Sequence, residues 1–210
     1  MAVAAPVERP RGLARREALL RAVLRIVGEI GPEAVTHRRV AEVAGLPLAS
    51  TTYWFSSKDE LLAAALELAA DADVARLRRT AAGVDTSDDP AQAIVAVILT
   101  PVGEALRSSR ASLIAAYSLW LEAARRPGLR ELATRWTDAY HDAVADILWR
   151  AGVADAREDA QLLVATADGL VMDQLARGCC SDLRPRLGKL VAALLAREAP
   201  PVEREREPPR

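Results

Sequence analysis

The chain has 210 residues, 51% of them hydrophobic and 27% charged, which supports a sizeable core and excludes a globally disordered polymer. Its net charge of −1 excludes a uniformly basic nucleic-acid binder. The charge is uneven, however: nine basic residues against five acidic ones up to Lys58 leave a basic front and an acidic rear.

Alanine and leucine dominate and β-branched runs are few, so helices are favoured throughout. The Pro-containing start (residues 1–10) and the charged, Pro-rich end (residues 200–210) are expected to be disordered tails. The start, MAVAAPVERPRG, lacks the long apolar stretch of a signal peptide. From Arg11 to Ile30 the positions Leu20, Val23, Leu24 and Val27 recur at helical spacing, and Gly31-Pro32 stops that helix. Thr36 is placed as the N-cap of a short helix His37 to Ala44, and Gly45 as its left-handed C-cap. Leu46-Pro47 turns the chain into a second short helix, Leu48 to Phe55. Ser56 or Ser57 caps a long helix from Lys58 to about Ala82, with Asp59 and Glu60 in its first turn.

The segment GVDTSDDP, Gly83 to Pro90, is the clearest loop. Beyond it, Ala91 to Ser108 is helical with a kink or break expected at Pro101. Arg110 to Arg126, Leu129 to Ala151 and Asp155 to Arg177 follow, and Ser181 with Asp182 caps a last helix. The longest apolar run, Ala93 to Leu99, is far short of the roughly 20 residues that span a bilayer. The reading is about nine helices, no strand and a cytoplasmic chain.

Residues 36–61 read THRRVAEVAGLPLASTTYWFSSKDEL, a helix, a glycine turn and a second helix. Val40, Ala41, Val43 and Ala44 give the first helix a small apolar face that a second helix can cross closely. The second helix carries Ser50, Thr51, Thr52 and Tyr53, hydroxyls suited to phosphates or base edges. From Leu48 to Trp54 the rod is about 10 Å long, matching a major groove about 12 Å wide.

These residues resemble the N-terminal domain of the TetR family of transcriptional regulators. Thr36, Val40-Ala41 with Ala44-Gly45, the pair Trp54-Phe55, and Ser57-Lys58-Asp59-Glu60-Leu61 carry the resemblance, which covers roughly residues 12–65. The family usually has a tyrosine three residues before the phenylalanine; here Thr52 stands there and Tyr53 follows.

The resemblance implies an all-α chain with a three-helix DNA-binding domain containing the helix-turn-helix (residues 11–57) and a helical bundle for ligand binding and dimerisation (58–199). It implies a homodimer on a palindromic DNA operator, released by a small molecule, with repression the commoner mode. Thr36 and Lys58 are expected to hold phosphates, Arg38 and Arg39 to touch phosphate or a base edge, and Ala49, Ser50, Thr51, Thr52 and Tyr53 to form the DNA-binding surface. Arg11, Arg15 and Arg16 are candidates for further contacts to the minor groove or backbone. Trp54 and Phe55 are read as core.

Behind this head, Leu163, Ala167, Leu170, Val171 and Leu175 form one apolar stripe, and Leu183, Leu187, Leu190, Val191 and Leu194 another. Such stripes pack either across a two-fold axis or into their own core, and the family favours the dimer. Tyr117, Trp120, Trp136, Tyr140, His141, Asp168, Met172 and Gln174 are polar or aromatic groups in apolar stretches, and are the candidates for a ligand pocket. Each taken singly also reads as core.

No cofactor or metal is expected. Two histidines, His37 and His141, are little material for acid–base or metal chemistry, and nucleophile-elbow, P-loop and dinucleotide fingerprints are absent, so no enzyme is expected. Cys179 and Cys180 are read as reduced thiols; the alternative is a redox-responsive regulator in which they bridge subunits.

Overall fold

The computed structural model describes residues 10–85, 89–178 and 181–198. Cys179, Cys180 and the tail segments 1–9 and 200–210 lie outside them, as does the side chain of Arg11. Among the described residues there are nine α-helices and no strand. They are α1 (Pro10–Glu29), α2 (His37–Ala44), α3 (Leu48–Trp54), α4 (Lys58–Gly83), α5 (Pro90–Ser108), α6 (Arg110–Glu122), α7 (Pro127–Arg150), α8 (Ala156–Arg177) and α9 (Arg184–Glu198). A 3-10 turn at Pro32–Ala34 joins α1 to α2.

Two compact units divide the chain. The first comprises residues 1–79 and 100–140, the second 80–99 and 141–210. In the first unit, α1 lies against α2, α3 and α6. Its core holds Leu20, Val23 and Val27 of α1 with Val40, Phe55 and Leu62. The spacing of those α1 residues is the helical periodicity of its sequence turned into a buried face. In the second unit, α8 packs on α9.

Leu163, Ala167 and Val171 on α8, and Leu187 and Val191 on α9, are already buried within one chain. The stripes expected to pair across a dimer axis therefore fill the chain's own core. What α8 and α9 leave exposed is a different face, including Leu162, Ala165, Gly169, Ala192, Ala193 and Ala196.

Two further expectations change. Of the kink or break expected at Pro101 the break does not occur: helix α5 runs on through Pro101 as one element, flanked by the buried Val97, Ile98 and Ala105. Proline removes one ladder bond there, and burial of the surrounding apolar side chains outweighs it. Helix α6 ends at Glu122, four residues before the expected stop. Ala123, Ala124 and Arg125 donate to carbonyls three residues back, which tightens the chain into turns.

Candidate nucleic-acid interface

The interface is built from the two helix ends that the sequence punctuates most strongly. Thr36 is extended (φ −139°, ψ 151°), and its hydroxyl oxygen accepts from the Arg39 backbone N–H at 3.2 Å, capping α2. At the other end Gly45 adopts φ +65°, ψ 31°, where a side chain would be strained. Its N–H donates to Glu42, and that of Leu46 to Ala41 at 2.9 Å, so the last carbonyls of α2 are satisfied as the chain turns. Val40 and Ala41 are buried, and α3 crosses α2 over this small face.

Phe55 stops α3 in extended backbone (φ −137°) and buries its ring. Arg16 of α1 sits over that ring, its guanidinium carbon 5.6 Å from the centroid. Arg16, proposed as an extra DNA contact, thus also closes the core of the head, whereas Arg15 is exposed. Ser57 rather than Ser56 caps α4, accepting from the Glu60 N–H at 3.1 Å. The Glu60 carboxylate reaches back to the Ser56 N–H at 2.7 Å and the Ser56 hydroxyl at 2.8 Å. Those two hydrogen bonds, the backbone one foremost, hold the Glu60 carboxyl below its ordinary range.

Most of the expected DNA-binding residues are accessible. Arg38, Arg39, Ala49 and Thr52 are exposed, Ser50 is half-buried, and Tyr53 is 78% exposed with its ring edge-on to Trp54 at 5.1 Å. Thr51 is the exception and corrects the sequence reading. It is fully buried, and its hydroxyl donates to the Leu48 carbonyl at 2.8 Å, so it packs α3 inward and does not belong to the outer surface. Lys58 is engaged: its ammonium donates to the Glu33 carboxylate at 3.1 Å and the Glu33 carbonyl at 3.3 Å.

Arg126, at the turn between α6 and α7, belongs to the same ionic group. It bonds the buried Glu122 carboxylate at 2.8 Å and Asp59 of α4, and lies 3.8 Å from Glu33. Bonds from Arg125 and Arg126 hold the Glu122 carboxyl below its ordinary range. Neither Glu122 nor Arg126 was singled out from sequence as a site residue.

The ligand-pocket candidates divide. Tyr117, Trp120, Trp136 and Tyr140 belong to the first unit, His141, Asp168, Met172 and Gln174 to the second. Within the first, Trp136 Nε1 (2.9 Å) and the Tyr140 hydroxyl (2.8 Å) both donate to one oxygen of Asp73 on α4, and Arg76 pairs with the other at 2.9 Å. Burial, followed by the Asp73 charge and hydrogen bond, pushes the Tyr140 phenol well above its ordinary value. Asp73 is buried and was missed, because a lone aspartate on an exposed-looking stretch of helix gives no signal of its distant partners.

Trp120 donates to the Thr137 hydroxyl at 3.2 Å and borders an open cleft of about 430 Å³ with Ala133 and Asp138. In the second unit Gln174 is buried and donates to the Ser181 hydroxyl at 2.7 Å, which makes it a fastener of the α8–α9 connection. His141, Asp168 and Met172 are half-buried. Among the described residues no group of His, Cys, Asp and Glu is set to hold a metal, and no helix is long and apolar enough to cross a membrane.

Residues 85–197 match the family model for the tetracyclin repressor-like C-terminal domain. Among solved structures, the multidrug binding protein EbrR complexed with imidazole is 30% identical, with a TM-score of 0.66 over 91% of this chain and 98% of that one. A TetR-family member from Streptomyces coelicolor A3 is also 30% identical, with a TM-score of 0.67 over 86% of this chain and 97% of its own. A transcriptional regulator from Rhodococcus sp. Rha1 is 29% identical, with a TM-score of 0.73 over 89% and 99% of the two chains. No curated protein sequence matches. Regulators of this kind are transcription factors rather than enzymes. The matched C-terminal domain, and the likeness over nearly the whole chain to solved regulators 30% identical to it, place the chain in the TetR family as a ligand-responsive transcriptional regulator.

Proposed function

We propose that the protein acts in the cytoplasm as a homodimeric repressor, reading a palindromic operator with α3 of each protomer in successive major grooves, about 34–36 Å apart. Residues 11–57 form the reading head, and residues 58–199 the ligand-binding and dimerisation body. The observation that carries this reading is the fixed, exposed surface of α2 and α3: Arg38 and Arg39 beside a capped helix start, and Tyr53 held edge-on by Trp54. Arg38, Arg39 and the α2 N-terminus suit phosphates, and Ala49, Ser50, Thr52 and Tyr53 suit the groove. Lys58 reaches a phosphate after leaving Glu33.

The exposed small residues of α8 and α9, with Leu162 beside them, support the dimer face, because small side chains let helices approach closely. The effector is a small molecule held in the body; EbrR, solved in complex with ethidium, supports a planar aromatic class. Such a ligand releases the operator only by binding better to a head spacing that does not fit the DNA.

Selection of genomic fragments by the purified protein at near-physiological salt tests the reading. One enriched near-palindrome, lost in Arg39→Ala and Tyr53→Ala variants, is the expected result. A folded, dimeric protein that enriches nothing at any salt overturns it.

A further inference from the structure

Helix α3 carries no charged or amide side chain. LASTTYW contains no Arg, Lys, Asn, Gln, Asp or Glu, the side chains that make bidentate or acceptor contacts with base edges. Its hydroxyls are also partly spent. Thr51 is buried on the Leu48 carbonyl, and Thr52 donates to the Ala49 carbonyl at 3.3 Å.

What faces solvent is Leu48 (50% exposed), Ala49, Thr52 and Tyr53. Positions i, i+1, i+4 and i+5 fall on one side of a helix, so these residues make one continuous, largely apolar stripe. Arg38 and Arg39, exposed on α2, supply charge for the phosphates and leave α3 free of that task. In a major groove the only apolar group a base presents is the C5-methyl of thymine.

We infer that the protein identifies its half-site through thymine methyl groups, with Leu48, Ala49 and Thr52 as the specificity-determining residues. The inference rests on the operator reading above and adds the chemistry by which the sequence is recognised. Leu48 was outside the set expected from sequence to contact DNA.

Deoxyuridine isolates the effect, since it keeps the pairing and the O4 acceptor of thymine and lacks only the methyl. Duplexes of the selected operator are compared with thymine or deoxyuridine at each half-site position. Each contacted methyl is expected to be worth about four-fold in affinity, and about fifteen-fold when replaced in both half-sites. Leu48→Ala, at a half-exposed position that leaves the core intact, is expected to weaken binding to the thymine operator and to shrink the deoxyuridine penalty to about two-fold or less. Equal binding of thymine and deoxyuridine duplexes by the parent protein overturns the inference while the operator reading stands. Failure to select any duplex overturns both.

Discussion

Thr51 and Tyr53 stand two residues apart on α3 and point to opposite fates. Thr51 is fully buried with its hydroxyl on the Leu48 carbonyl; Tyr53 is exposed and braced by Trp54. Thr51→Val keeps the shape and deletes one local hydrogen bond, so it is expected to cost about 1 kcal/mol in a urea melt and to leave operator affinity within about two-fold. A tenfold loss of affinity in a folded Thr51→Val protein would put that side chain on the DNA.

Asp73 is the other residue whose weight is invisible until the fold is assembled, with partners 63 and 67 positions away in Trp136 and Tyr140. Asp73→Ala removes the acceptor shared by the Trp136 and Tyr140 donors and the carboxylate that pairs with Arg76, a loss of about 3 kcal/mol. The pH dependence has a definite sign. The folded pKa of Tyr140 lies above its ordinary value of 10.0, so the stability it contributes is present below pH 10 and disappears as pH rises through the folded value. Removing the Asp73 charge takes away part of that elevation while burial keeps the rest. Asp73→Asn is therefore expected to bring Tyr140 ionisation, followed by tyrosinate absorbance, to lower pH, and to flatten the alkaline fall in stability. An unchanged titration would show that the carboxylate does not govern the phenol.

At the scale of elements, the close approach of α1 to α6 turns on Gly28. A Cβ built there would lie 1.9 Å from the Ala111 carbonyl oxygen, a backbone atom that cannot swing aside. An ordinary helix glycine gains about 1 kcal/mol on replacement by alanine. Gly28→Ala is expected instead to lose about 3 kcal/mol or more as the two helices are forced apart. Gly103→Ala on α5, where the nearest atom is the flexible end of Arg107 at 3.4 Å, should show the opposite sign. Thermal melts of both variants test the pair, and a stabilised Gly28→Ala would contradict the close approach.

Sequence could not single out Gly28, because its reason is a backbone atom 83 positions later, whereas Gly45 was legible because its reason is local. The same division runs through the whole reading. Helices bounded by Thr36, Gly45, Ser57 and Gly178 were legible to within a residue or two, since capping and left-handed turns are decided by neighbours along the chain. The end of α6 was misplaced because Glu122 is drawn inward among partners that include Asp59-bound Arg126. The apolar stripes of α8 and α9 were read correctly as buried faces, yet periodicity does not say against what they are buried.

For the molecule as a whole, the basic head and acidic rear set how binding should respond to salt. Each phosphate neutralised releases counterions, and the slope of log affinity against log salt falls by about 0.9 per phosphate on duplex DNA. A homodimer carries two copies of every contact, so Arg39→Ala is expected to make that slope shallower by about 2. Lys58 is the instructive case, because Glu33 already holds it and Arg126 stands 3.8 Å from the same carboxylate. A phosphate must compete with Glu33 for the ammonium, and that competition lowers affinity. Glu33→Gln keeps an acceptor but removes the charge, so Lys58 is freed at modest structural cost: the Glu33 side chain is 84% exposed. The variant is expected to bind the operator more tightly at low salt with the slope unchanged, and adding Lys58→Ala should cancel that gain and make the slope shallower than the parent's by about 2. A Glu33→Gln, Lys58→Ala protein that keeps the parent's slope would remove Lys58 from the phosphate contacts and leave it as a brace between the 3-10 turn and the start of α4.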